Sequence, residues 1–123
     1  MTQKKIYVID DDPLALQIIA EVLKAEGHQV GAFSEFEELI EALRQARPDL
    51  VMTDVVMPKV SGFEVCSKVK ELTQPDPPPV IVMTGKLDAI DPIQARRMGA
   101  DDFIVKTSDM TILVQAVRKM LSL

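Results

Sequence analysis

Six side chains in this sequence have types that could do chemistry together: Asp10, Asp11, Asp54, Thr84, Lys106 and, beside the first two, Asp12. Carboxylates, one hydroxyl and one ammonium make a set able to bind a hard cation and an oxyanion at once. Two carboxylates about 5 Å apart repel by roughly 3 kcal/mol at an effective dielectric near 20. Three gathered at one place, Asp10, Asp11 and Asp54, either raise a pKa or take up a cation. Oxygen ligands with only a few carboxylates suit Mg²⁺, which keeps waters and shares itself with phosphate oxygens. A carboxylate beside such a metal, with hydroxyl and ammonium donors aimed at the same spot, can attack phosphorus and form an acyl phosphate.

Whether these residues meet depends on the elements that carry them. Five apolar runs stand out: Ile6 to Ile9, Gln29 to Phe33, Leu50 to Thr53, Val80 to Thr84, and Phe103 to Val105. Most are short, β-branched and nearly continuous, the pattern of parallel strands buried on both faces. Helical segments separate them. The first is expected to start at Pro13 with Asp12 as N-cap, bury Leu14, Ile18, Ile19, Val22 and Leu23, and stop at Gly27. The second is expected to open with the capping box Ser34-x-x-Glu37 and bury Phe36, Leu39, Ile40 and Leu43. A third spans about Gly62 to Leu72, with Cys66 on its buried stripe as a core thiol. A fourth is brief, capped by Asp91, started by Pro92 and stopped by Gly99. A fifth begins near Ser108 or Asp109 and buries Ile112, Leu113, Ala116, Val117, Met120 and Leu121. Gln74-Pro75-Asp76-Pro77-Pro78-Pro79 reads as a stiff, extended lead-in to the fourth strand.

Five βα units in succession imply an α/β fold, a single doubly wound (βα)5 domain with a five-stranded parallel sheet. In such sheets the ligand site lies at the carboxyl ends of the strands. Asp10 to Asp12, Asp54, Thr84 and Lys106 all follow strand ends. Each also has a plain structural reading. Asp12 serves as a helix cap, Asp10 and Asp11 as turn residues, Asp54 as a loop residue, Thr84 as a strand-end hydroxyl and Lys106 as a solvated lysine. The chemical reading rests on their sharing one edge.

Composition narrows the alternatives. The chain has 123 residues, 14 basic and 19 acidic side chains and a net charge of −5. One cysteine and one histidine cannot build a zinc site or a disulfide framework. The acidic balance argues against direct nucleic-acid binding. No apolar run approaches the roughly 18 residues of a membrane span, and the N-terminus does not read as a signal peptide. The expected compartment is the cytoplasm. A P-loop would need glycine at 80 and a hydroxyl at 87, where the chain has Val80 and Leu87. An aspartyl phosphatase would need a larger cap region.

Val8-Ile9-Asp10-Asp11-Asp12-Pro13, Pro48 to Pro58 around Asp54, Ser61-Gly62, Pro79 to Thr84, and Gly99 to Lys106 together resemble the receiver domain of bacterial two-component response regulators. The resemblance covers essentially the whole chain, read as one receiver domain over residues 1–123 with no effector domain. It implies the flavodoxin-like strand order 2-1-3-4-5 and a phosphoacceptor switch rather than a classical enzyme. In that reading Asp54 accepts a phosphoryl group from a histidine kinase or histidine phosphotransfer partner. Asp10, Asp11, Asp54 and the Val56 backbone carbonyl hold Mg²⁺ or Mn²⁺. Thr84 and Lys106 are the switch hydroxyl and the phosphate-binding lysine, and Phe103 is the aromatic switch. Val56 and Lys86 sit where the family tunes phosphate lifetime. The output face is expected on the fourth helix, fifth strand and fifth helix, with Gln94, Arg97, Gln115, Arg118 and Lys119, facing a downstream protein or a second copy in a phosphorylation-linked homodimer. Two departures stand out. Thr107 follows Lys106 where the family has a proline with a cis bond, and Gly85 follows Thr84 in place of the usual alanine. The competing reading is a receiver-like module that binds a partner without being phosphorylated.

Overall fold

The computed structural model describes residues 3–85, 92–97, 99–107 and 109–122. Its elements run β1 (Lys5–Ile9), α1 (Pro13–Ala25), β2 (Gln29–Phe33), α2 (Phe36–Gln45), β3 (Leu50–Asp54), α3 (Gly62–Leu72), β4 (Val80–Thr84), α4 (Pro92–Arg97), β5 (Asp102–Val105) and α5 (Thr111–Leu121). All strand pairs are parallel, in the order β2-β1-β3-β4-β5. The expected fold and strand order are what is observed.

The continuous apolar strands divide by alternation. On β1, Tyr7 and Ile9 pack with Leu39 and Leu43 of α2 and Val65, Cys66 and Val69 of α3. Ile6 and Val8 point the other way, into Ile19 and Leu23 of α1 and Leu113 and Val117 of α5. Each strand therefore feeds two cores, which explains why its sequence shows no polar face.

Several local expectations need correction. The second helix has no Ser34 capping box: it starts at Phe36, with Glu35 as an extended N-cap and no side-chain cap bond. Starting there, the helix leaves Ser34 outside its first turn, away from the amides a cap must satisfy. Leu14, Ile18 and Ile112, expected in the core, are 65%, 41% and 48% exposed. Only Ile19, Ala20 and Leu23 of α1 are buried. The fifth helix starts at Thr111, later than expected, and Asp109 accepts the Thr111 N–H at 2.9 Å. The lead-in to β4 begins as a turn at residues 73–76 before it extends. Asp91, Lys86 and Ser108, and the side chain of Gln94, lie outside the described residues.

Two caps behave as read. Asp12 accepts the Leu14 N–H at 3.0 Å, and Gly27, just past the C-cap of α1, has a φ of 94°, the left-handed turn that glycine adopts freely. They fix where α1 begins and ends over the sheet, and with it the loop that carries Asp10 and Asp11.

Candidate functional site

Asp10 leaves the end of β1 fully buried. Its backbone N–H donates to Phe33 O at 3.1 Å, and its Oδ1 accepts the Asp12 N–H at 3.0 Å. Asp11 next to it is exposed, and Asp54, the last residue of β3, is half-buried. One carboxylate oxygen from each of Asp10, Asp11 and Asp54 lies within 4.8 Å of the other two. This is the three-acid cluster anticipated from strand ends. It supplies hard oxygen donors on a water-accessible rim, a fit for a divalent cation that keeps part of its hydration.

Lys106 reaches into the cluster from the end of β5. Its N–H donates to Thr84 O at 2.6 Å, so the strand ladder carries it beside Thr84. Its Nζ lies 2.5 Å from Asp10 Oδ2 and 3.2 Å from Asp54 Oδ2. Among the described residues the one cis peptide is Gln74–Pro75. The bond from Lys106 to Thr107 is therefore trans, and the lysine meets both acids without the family's proline. The pairing of Lys106 with Asp10 had no signal in the sequence, because nothing in residue spacing says which of several acids an ammonium will choose.

The charges are strongly coupled. Burial pushes the Asp54 carboxyl above its ordinary value. The Lys106 ammonium pulls it back, and the Asp10 charge pushes it further up. Burial alone would lower the Lys106 ammonium, but its bond to Asp10 and the charges of Asp10 and Asp54 outweigh this and hold it above its usual value. Lys106 thus stays cationic and ready to neutralise charge at Asp54.

Thr84 is buried at the end of β4. Phe103 on β5 is half-buried and packs against the α2–α3 core. Val56, two residues past Asp54, is 70% exposed and forms an isolated antiparallel bridge with Ser61. Among the described residues other than its chain neighbours, no atom lies within 4 Å of where a Gly85 Cβ would stand. On the expected output face, Arg97, Gln115 and Lys119 are exposed. Arg118 is committed to Glu26, 2.6 Å from its carboxylate. Sequence reading also missed an apolar cleft of about 240 Å³ beside Lys106, lined by Ala15, Ile18, Ile104, Met110 and Leu113 among others. Ile18 had been read as core, so its exposure hid the cleft. No helix among the described residues is long and apolar enough to cross a membrane.

Comparison with known proteins agrees with this geometry. Residues 6–118 match the family model described as the response regulator receiver domain. The chain is 33% identical over 116 residues to the transcriptional regulatory protein AfsQ1 of Streptomyces coelicolor, covering 94% of this chain and 50% of that protein. It is 32% identical, with the same coverage, to the DNA-binding response regulator MtrA of Mycolicibacterium smegmatis. The chain thus spans about half the length of the curated relatives it matches. Among solved structures, the response regulator TrrA of Thermotoga maritima, in complex with Mg²⁺-BeF, superposes with a TM-score of 0.84 at 27% identity, covering 96% of this chain and 99% of that one. With its strand order, its three-acid edge and its lysine in register, the chain belongs to the response regulator receiver domain family.

Proposed function

We propose that Asp54 is the phosphoacceptor of this receiver domain, with Asp10, Asp11, Asp54 and the Val56 carbonyl as the ligands of a Mg²⁺ or Mn²⁺ ion. The observation that carries the reading is the position of Lys106 Nζ, 3.2 Å from Asp54 Oδ2 within a cluster of three acids. A carboxylate oxygen of Asp54 attacks the phosphorus of a phosphohistidine on a histidine kinase or phosphotransfer protein. The new P–O bond forms as the P–N bond breaks, and the departing imidazole takes up a proton. Lys106 neutralises charge on the transferring group, and Thr84 supplies a hydroxyl to the phosphoryl oxygens once they are in place. A divalent cation held by Asp10, Asp11, Asp54 and the Val56 carbonyl would supply further charge neutralisation to the transferring group.

The apolar cleft beside Lys106 gives a donor protein a surface to rest on while its histidine faces Asp54. Phe103 and Thr84 then report phosphorylation to the face of α4, β5 and α5. There, exposed Arg97, Gln115 and Lys119 meet a downstream protein or a second copy of the chain, in the cytoplasm. Val56 and Lys86 set the lifetime of the phosphate. The rival reading, a module that binds without phosphorylation, drew its strength from Thr107. The reach of Lys106 across a trans bond supports the phosphoacceptor instead.

Intact mass after incubation with a small acyl-phosphate donor tests the assignment, with and without Mg²⁺, for wild type and Asp54→Asn. One added phosphoryl group that requires both Mg²⁺ and Asp54 is expected. No addition to folded wild-type protein would leave the binding-module reading.

A further inference from the structure

Asp54 is supported from a side that the acid cluster does not use. Gly62, the first residue of α3, is buried and donates its N–H to Val55 O at 2.8 Å. A Cβ built on Gly62 would overlap the Asp54 carbonyl oxygen, stand 2.9 Å from Val55 Cα and 3.1 Å from the Asp54 carbonyl carbon. These obstacles are backbone atoms, so no side chain can swing aside to make room. The Asp54 carbonyl oxygen also accepts the hydroxyl of fully buried Thr53 at 2.9 Å. Just downstream, Val56 bridges to Ser61, whose Oγ accepts the Glu64 N–H at 3.1 Å and caps the same helix. The start of α3 therefore seats directly on the backbone of residues 54–56. Asp10, in contrast, is fixed independently through β1 and Phe33.

From this seating we infer that Gly62, with Thr53, is a positioning residue for the cation site, setting the Asp54 backbone against Asp10 and Asp11. The inference rests on the reading that these three acids hold a divalent cation. A methyl at 62 must move either α3 or the Asp54–Val56 backbone. Only the second movement changes the distance between acids on β1 and the acid on β3. Mg²⁺ demands near-ideal octahedral geometry at short distances, whereas Ca²⁺ tolerates irregular and longer coordination. A positioning defect therefore weakens Mg²⁺ more than Ca²⁺, while a merely structural defect does not change their ratio.

The experiment is calorimetric titration of the whole chain with Mg²⁺ and, separately, Ca²⁺. Wild type is compared with Gly62→Ala, Thr53→Val, Thr53→Ser and Gly31→Ala. Gly31 is the control: its added Cβ would meet the Tyr7 and Phe33 rings, 2.9 and 3.1 Å away, on β1 and β2. Gly62→Ala is expected to weaken Mg²⁺ binding by about tenfold or more, the range seen when outer supports of a metal site are lost, with a smaller loss for Ca²⁺. Gly31→Ala is expected to melt earlier yet bind Mg²⁺ as wild type does. Thr53→Val should weaken Mg²⁺ and Thr53→Ser restore it. A folded Gly62→Ala with wild-type Mg²⁺ affinity, or with equal losses for both ions, overturns the inference. If Gly62→Ala does not fold, Thr53→Val decides: unchanged Mg²⁺ affinity overturns it. Wild type that binds neither ion overturns the cation reading itself, and this inference with it.

Discussion

Replacing Lys106 by methionine, which keeps its length and removes its charge, asks how much the fold depends on this one ammonium. The Asp10 side chain is fully buried, those of Asp54 and Lys106 are 14% and 23% exposed, and Lys106 bonds to both acids. With the ammonium gone, acid oxygens within 4.8 Å of each other repel by about 3 kcal/mol at an effective dielectric near 20. Removing one partner of a buried pair commonly costs about 3–5 kcal/mol. The lower figure applies here because water reaches the rim. For a chain of this size, about 3 kcal/mol corresponds to a melting point roughly 10 °C lower. The assay is thermal unfolding by circular dichroism at pH 7 in chelator and again in Mg²⁺. In chelator the variant is expected to lose that amount. In Mg²⁺ the gap to wild type should narrow, since a cation among the acids takes over the role of the ammonium and no longer competes with it for Asp10. A loss below about 1 kcal/mol in chelator, or a gap that Mg²⁺ leaves unchanged, would refute the reasoning.

Three further outcomes follow from the same geometry. Asp54→Asn should raise metal-free stability and flatten its pH dependence. The folded Asp54 carboxyl titrates above its ordinary value of 3.8, so above 3.8 the folded state binds more protons and this group's contribution to stability falls as pH rises; denaturant melts of both proteins over a pH series upward from 3.8 check this, and a wild type that loses no more stability than Asp54→Asn as pH rises opposes it. Cys66 is fully buried and its thiol is pushed up to about 11, chiefly by burial; at pH 8 it should resist iodoacetamide in the native protein and react once urea unfolds it. Val56 is exposed beside Asp54 and aliphatic, so it cannot orient an attacking water. Val56→Asn should speed loss of the phosphoryl group from Asp54 by severalfold, and mass spectrometry showing an unchanged half-life would remove the lifetime role from this position.

The sequence showed the architecture well because each strand is nearly uniform. Val8-Ile9 and Val80 to Met83 have no polar face to mislead, and burial on both sides is the one environment in which such runs are stable. The helix ends were legible where a cap has one solution. Asp12 before Pro13 caps α1 as its type suggests, and Gly27 turns the chain just past its end. Ser34 failed because a serine near a helix start is a cap only if the chain turns at that residue, and here the turn comes one residue later. Leu14, Ile18 and Ile112 failed for another reason. Period tells which residues share a helix face, not how far the neighbouring layer extends over it. Ile18, for one, lines the apolar cleft beside Lys106 instead of closing against a neighbouring layer.

The site divides the same way. That Asp10, Asp54, Thr84 and Lys106 share an edge followed from strand ends alone, since parallel strands bring all their carboxyl termini to one side. How the charges resolve there did not follow. Lys106 Nζ meets both Asp10 Oδ2 and Asp54 Oδ2, with the lysine backbone anchored by its bond to Thr84 O. Nor did the sequence reveal why residue 62 has no side chain, since its carbonyl neighbour comes from a different element. Spacing along a chain identifies the groups that a fold gathers. The distances that decide among them arise only when two elements meet, and at Asp54 three do: β1 through Asp10, β5 through Lys106 and α3 through Gly62. Each can be altered by one substitution without touching Asp54, so the three contributions to the arrangement around that carboxylate can be measured one by one.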